Sequence, residues 1–201
     1  MALPVIGIFV AHAFFWAAFS AVRIILRAAE AGSRHGSDAT VGASEEHSAR
    51  YPRLLVAFHA LAFGILYFGL ANAVLSARTR YLFPSQPLMA ICIIGCGVAL
   101  SIWALIYFRS WRFRATLTVG HELATGGPFR YLRHPIYMAL NLLALGSALW
   151  APTLVVWAAF VLLAVGSDLR ARAEEALLLK VFGAAYVTYC ARTVRFVPAL
   201  Y

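Results

Sequence analysis

The sequence predicts an all-α membrane protein of five transmembrane helices, the last two a helical hairpin, followed by a C-terminal amphipathic helix. Composition is the first observation behind this. Of 201 residues 63% are hydrophobic and 12% charged, with mean hydropathy +0.79, whereas a soluble domain carries about 25% charged and roughly half apolar residues. The second is segment length, since a helix needs about 20 mostly apolar residues to cross the ~30 Å hydrocarbon core. The third is the lopsided placement of Lys and Arg along those segments.

Pro4–Leu26, Leu54–Leu75 and Pro87–Phe108 each have the length of a crossing. Ile136–Trp150 is shorter. After Ala151-Pro152 a fifth segment runs from Thr153 to about Leu169, with Pro152 suited to the start of a helix. RARAEEALLLKVFGAAYVTY then places Leu177, Leu178, Val181, Phe182 and Ala185 at three- and four-residue spacing, which predicts an amphipathic helix carrying the fifth crossing out into water. The N-terminal apolar run has no positive segment before it, and Arg23 follows it, so it is expected to stay as a membrane helix rather than act as a secretory signal. No linker or repeat divides the chain, so residues 1–201 read as a single integral membrane domain.

Five crossings put the loop 27–53, the segment 109–133 and the C-terminal tail on one side. With Arg23 counted there, that side holds all but Arg78 and Arg80 of the 17 Lys and Arg residues. The positive-inside rule makes it cytoplasmic and leaves the N-terminus outside. The net charge of +9 is therefore a topology signal with some attraction for anionic lipid headgroups, and no motif for reading nucleic acid accompanies it. The loop AAEAGSRHGSDATVGASEEHSARYP reads as a mobile connector, with a lid over a site as the alternative. Cys92, Cys96 and Cys190 have neither zinc-site spacing nor partners for a disulfide framework, and are expected to be small core residues. His12 and His59 sit singly in apolar helices. Each is a functional candidate by default, and each is explained as well by a hydrogen bond to a neighbouring helix.

Charge gathers in two places. In GPFRYLRHPIYM, Gly127 to Met138, the Gly-Gly-Pro step before Phe129 breaks any helix, and Pro135 forces His134 toward extended backbone while suiting the first turn of the next helix. A structured loop thus aims Arg130, Arg133 and His134 at a helix N-terminus, where an anionic group can be held. Against that stands the reading of these cations as snorkelling headgroup anchors. In DLRARAEE, Arg170 and Glu174 are four apart and share a helical face, either as a solvated pair or as the wall of a pocket combining guanidinium and carboxylates.

HELATGGPFRYLRHPIY followed by RARAEEALLLKVFGAAYVTYCARTVRFVP resembles the isoprenylcysteine carboxyl methyltransferase and phospholipid methyltransferase superfamily, over roughly Arg114 to Pro198. The resemblance implies an enzyme with three N-terminal helices in 1–108 and a cofactor-binding catalytic half in 109–201. It implies S-adenosylmethionine as methyl donor on the cytoplasmic side, S-adenosylhomocysteine as product, and a lipid or lipidated acceptor arriving from the bilayer. Carried over by position, it makes His121, Glu122, Leu123, Ala124, Phe129, His134, Pro135, Ile136, Tyr137 and Glu174 the cofactor pocket, with Glu174 pairing with the cofactor's α-ammonium. Arg170 falls on the acceptor side. Ala139 departs from the pattern, which usually has glycine there.

Methyl transfer needs alignment of nucleophile, methyl and leaving sulfur more than it needs dedicated bases. With Arg170 to orient a carboxylate, and with Arg133 and Glu175 beside it, the first expectation for the acceptor is an isoprenylcysteine carboxylate. An amine or thiol acceptor must lose a proton, for which Glu175 or His134 is the candidate. Phosphatidylethanolamine N-methylation and thiol S-methylation are the alternatives, and no metal is required. Sterol-type reductases using NADPH are distantly similar in their C-terminal helices, but Ile136 and Leu140 replace their characteristic polar residues.

Overall fold

The computed structural model describes residues 3–33, 50–76, 81–108 and 123–197. They form six α-helices: α1 (Leu3–Ser33), α2 (Arg50–Leu75), α3 (Gln86–Tyr107), α4 (Pro135–Trp150), α5 (Leu154–Phe182) and α6 (Ala184–Cys190). Four of them, α1, α2, α3 and α5, are long and apolar enough to cross a membrane. The 16 residues of α4 rise only ~24 Å. Helix starts follow local chemistry: proline stands in the first turn of α3 and α4, where a missing N–H costs nothing. Thr153 caps α5 by accepting from the Val156 N–H at 3.3 Å.

Helix α4 packs along α3 and forms the expected hairpin with α5, while α2 lies on α5 and α1 on α3. Ile8, Phe15, Leu66, Leu70, Ile94, Leu143, Val156 and Leu163 fill the interior. The α3–α4 seam is tight because Gly146 lets the helices approach: a Cβ there would lie 2.8 Å from Ala90 O. Gly97 does the same toward Ala139 O. Ala139 itself is helical and fully buried, so its methyl is accommodated where glycine was expected.

His12 ties α1 to α2 and α4 through a row of bonds whose hydrogens can be followed. Trp16 Nε1 donates to Tyr67 Oη at 2.6 Å, and the Ser147 hydroxyl donates to Leu143 O at 2.7 Å. Tyr67 lies 3.0 Å from His12 Nδ1, and His12 Nε2 lies 2.7 Å from Ser147 Oγ. With the serine hydrogen committed to the carbonyl, Nε2 must donate and Nδ1 must accept from Tyr67. Four links use four hydrogens, so a neutral His12 satisfies the whole row. The helix-bridging explanation of this histidine is the one the structure carries.

Two expectations change. The predicted C-terminal amphipathic helix is divided: α5 runs unbroken to Phe182, stops at Gly183 in the left-handed region (φ 51), and α6 follows. Within that stretch Leu179 and Val181 are exposed. Cys92 and Cys96 face outward on α3 instead of lying in the core. Of the two, neither shares a face with Ala90 or Ile94, which take the buried positions. Residues 34–49, the bulk of the connector for which a lid was considered, lie outside the described residues.

Candidate functional site

The loop before α4 is shaped first by its glycines. Gly127 adopts φ 54, and its missing side chain leaves room for the Tyr107 ring, which a Cβ would meet at 2.5 Å. A single 3-10 turn, Gly127–Arg130, then presents Phe129 inward, stacked on Phe108 at 5.5 Å. Tyr189 of α6 donates its hydroxyl to Phe129 O at 2.8 Å. Burial pushes that phenol above its ordinary range, so it remains a neutral donor. The C-terminal segment also straps the loop down, because Arg133 N donates to Val194 O at 2.8 Å and Val194 N to Tyr131 O at 3.1 Å.

Glu175 is the hub of the charged cluster. Arg133 Nε donates to its Oε1 at 2.9 Å, and Arg195 grips both oxygens, Nε to Oε1 at 3.0 Å and Nη2 to Oε2 at 2.6 Å. His134 Nε2 lies 3.3 Å from the same Oε1. Arg133 also donates to the carbonyls of Thr193 (2.7 Å) and Cys190 (3.2 Å), and Arg195 to Asp168 Oδ1 at 3.2 Å. A bidentate guanidinium–carboxylate pair with a second guanidinium on one oxygen is a strong, geometrically exacting arrangement. It makes Glu175 the anchor joining α5, the loop and the C-terminal strap.

Glu174 stands differently. Its side chain is 47% exposed. The Tyr137 hydroxyl donates to Oε1, the Arg170 Nη2 approaches the same oxygen at 4.0 Å, and His134 Nδ1 lies 3.6 Å from Oε2. The Tyr137 ring is stacked between the His134 ring, 5.7 Å away, and the Arg170 guanidinium, 5.0 Å from its centroid. Below this rim the polar surface continues inward: Ser167 Oγ is 3.0 Å from Asn141 Oδ1 and 3.4 Å from His59 Nε2.

Six of the residues singled out in the sequence therefore meet: Arg133, His134, Tyr137, Arg170, Glu174 and Glu175. Phe129 and Pro135 are buried supports of the loop, Ile136 is half-buried beside them, and Leu123 and Ala124 are half-buried in the chain leading to the turn. His121 and Glu122 lie outside the described residues. Arg130, read with the loop cations, is exposed. Arg195 and Asp168 were not assigned roles from the sequence, and Asn141 and Ser167 were missed altogether. The arginine in RTVRFVP was visible, but no helical spacing connects it to Glu175.

Fold and site together define a polytopic helical bundle with a charged, partly open site at one end. Residues 86–185 match the family model described as phospholipid methyltransferase, and the chain belongs to that family, within the superfamily of integral membrane methyltransferases that includes the isoprenylcysteine carboxyl methyltransferases. No curated protein matches the chain. The matched stretch spans α3, α4, α5 and the loop between α3 and α4, so it contains both halves of the Glu174–Glu175 cluster except the C-terminal strap.

Proposed function

We propose that the protein transfers a methyl group from S-adenosylmethionine to the headgroup of a membrane lipid, with the amine of an aminophospholipid as the acceptor. The observation that carries the reading is the contrast between two neighbouring carboxylates. Glu175 is saturated by two guanidinium groups, whereas Glu174 is half-exposed and held in orientation by Tyr137.

The residues present fit the cofactor. An α-ammonium is the natural complement of the open edge of Glu174, while the stacked His134 and Tyr137 rings provide aromatic surface beside it. When bound, S-adenosylmethionine supplies a sulfonium methyl ready for in-line displacement. The chain's part is to orient and to exclude water: Glu175 fixes Arg133 and His134, and the Gly127–Arg130 turn closes the loop over Phe108. Glu175 is a positioning group and not the base, since both its oxygens already accept from cations. A lipid ammonium must release one proton to water before its nitrogen attacks.

The preference for a lipid amine over a prenylcysteine carboxylate comes from Arg170. It lies over the Tyr137 ring and faces Glu174, so an acceptor carboxylate would have to compete with Glu174 for it. The family's description as phospholipid methyltransferases supports the same direction. The placing of all but two of the 17 Lys and Arg residues on one side supports a cytoplasmic site with the N-terminus outside. The test is calorimetric titration of the detergent-purified protein with S-adenosylhomocysteine alongside NADPH, followed by labelled methyl transfer to aminophospholipid in mixed micelles. Saturable binding of S-adenosylhomocysteine alone is expected. Binding of NADPH alone would replace the methyltransferase reading with a reductase.

A further inference from the structure

One turn inside the bundle from Tyr137 and Arg170, polar side chains from three helices meet. Asn141 on α4 lies four residues after Tyr137, Ser167 on α5 lies three before Arg170, and His59 reaches them from α2. The step from Glu174 back to Ser167 corresponds to about 10 Å of helix. Polar groups at that depth in an apolar bundle are costly and mark function by default.

Hydrogen supply decides how the three are joined. Leu55 O lies 3.3 Å from His59 Nδ1, His59 Nε2 lies 3.4 Å from Ser167 Oγ, and Ser167 Oγ lies 3.0 Å from the Asn141 amide. With Asn141 Oδ1 turned toward Ser167, the row has an acceptor at each end and three links to fill. A neutral imidazole and a hydroxyl bring one hydrogen each, so one link stays empty. The row through His12 has no such deficit. A charged His59 would supply the missing hydrogen, at the expense of an ion inside the bundle. Turning the Asn141 amide supplies it without charge. Asn141 Nδ2 then donates to Ser167, Ser167 to His59 Nε2, and His59 Nδ1 to Leu55 O. The two ends of the amide are nearly the same shape, so the turn displaces nothing else.

The turned amide leaves Asn141 Oδ1 as the open group. Asn141 is half-buried, and among the described residues its amide is bonded on the Ser167 side. We propose that Asn141 is a specificity-determining residue whose amide oxygen accepts a hydrogen bond from the donor-bearing headgroup of the methyl acceptor. This rests on the methyltransferase reading and sharpens it, because an ammonium or amine has hydrogens to give, and a carboxylate has none.

The test compares wild type, Asn141→Leu and Asn141→Asp in mixed micelles with labelled S-adenosylmethionine, offering an aminophospholipid and a prenylcysteine in turn. S-adenosylhomocysteine affinity is measured for each as a control for folding. Asn141→Leu is expected to raise the aminophospholipid KM by about tenfold or more, with cofactor affinity within about twofold of wild type. Asn141→Asp, as the neutral acid inside the bundle, keeps a donor toward Ser167 and an acceptor oxygen toward the headgroup, and is expected to keep the KM low. An unchanged KM in the leucine variant overturns the proposal. So does an aspartate variant impaired as much as the leucine variant, because that would make the amide N–H the recognising group. If the leucine variant does not fold, the aspartate variant alone decides: a KM near the wild-type value upholds the proposal, and a KM raised about tenfold overturns it. Wild-type protein that methylates the prenylcysteine and not the lipid amine overturns the assignment of Asn141 while leaving the methyltransferase intact. Failure to bind S-adenosylhomocysteine removes both.

Discussion

Replacing either member of the Glu174–Glu175 pair by glutamine should produce opposite phenotypes, although the two residues are adjacent and the change is the same. Glu175 accepts three bonds from Arg133 and Arg195, at 2.9, 3.0 and 2.6 Å, and these three side chains are only 14–16% exposed. In Glu175→Gln the charge is lost and an amide NH2 is forced against a guanidinium. Removing one partner of a buried pair costs about 3–5 kcal/mol, and the residual exposure argues for the lower end, about 3 kcal/mol. At roughly 2–4 °C per kcal/mol for a chain of this length, the unfolding temperature should fall by about 6–12 °C. Glu174 is 47% exposed and its ion pair with Arg170 is loose at 4.0 Å. Glu174→Gln should therefore cost at most about 1 kcal/mol of stability. Its effect should appear instead as a roughly tenfold weaker affinity for S-adenosylhomocysteine, the loss of one charge-assisted contact. Thermal unfolding in micelles and calorimetric titration of both variants read the two quantities. Glu175→Gln unfolding at the wild-type temperature would refute the hub argument, and unchanged affinity in Glu174→Gln would remove Glu174 from the pocket.

Arg195→Ala should destabilise the strap and weaken S-adenosylhomocysteine binding severalfold, with Arg195→Lys recovering only part, because an ammonium cannot fork across both carboxylate oxygens; full recovery in the same titration would deny the bidentate role. Gly146→Val should lower stability by about 1–3 kcal/mol, since its side chain would meet Ala90 O and Ile94; a wild-type unfolding temperature would contradict the close α3–α4 approach. His12→Leu should cost about 1–2 kcal/mol by leaving the Tyr67 hydroxyl hydrogen without its acceptor, while Ser147 keeps its bond to Leu143 O. Its cofactor affinity should stay unchanged in the calorimeter, because the His12 row lies apart from the charged cluster.

What the sequence determined by itself is what local rules govern. An apolar run of sufficient length must be helical in a bilayer, and Pro87, Pro135 and Pro152 mark where helices begin, so α2, α3 and α4 start and stop within a few residues of expectation. The i, i+4 spacing put Arg170 and Glu174 on one face, and the Gly-Gly-Pro break forecast a built loop ahead of His134. Three things needed the tertiary structure. Arg195 reaches Glu175 only because Gly183 turns the chain and the 193–197 segment returns to pair with the loop, a contact that no helical period encodes. Cys92 and Cys96 face outward because a helix that is apolar all round gives no signal of which side its neighbours take. The separate duties of Glu174 and Glu175, and the meeting of Asn141, Ser167 and His59, depend on how α2, α4 and α5 are rotated about their axes. That rotation is set by side-chain packing between helices, as at Gly166, where a Cβ would lie 2.9 Å from His59 and Phe58. Such long-range contacts leave no periodic trace in the chain, and they decide which polar groups face each other and which remain open to a ligand.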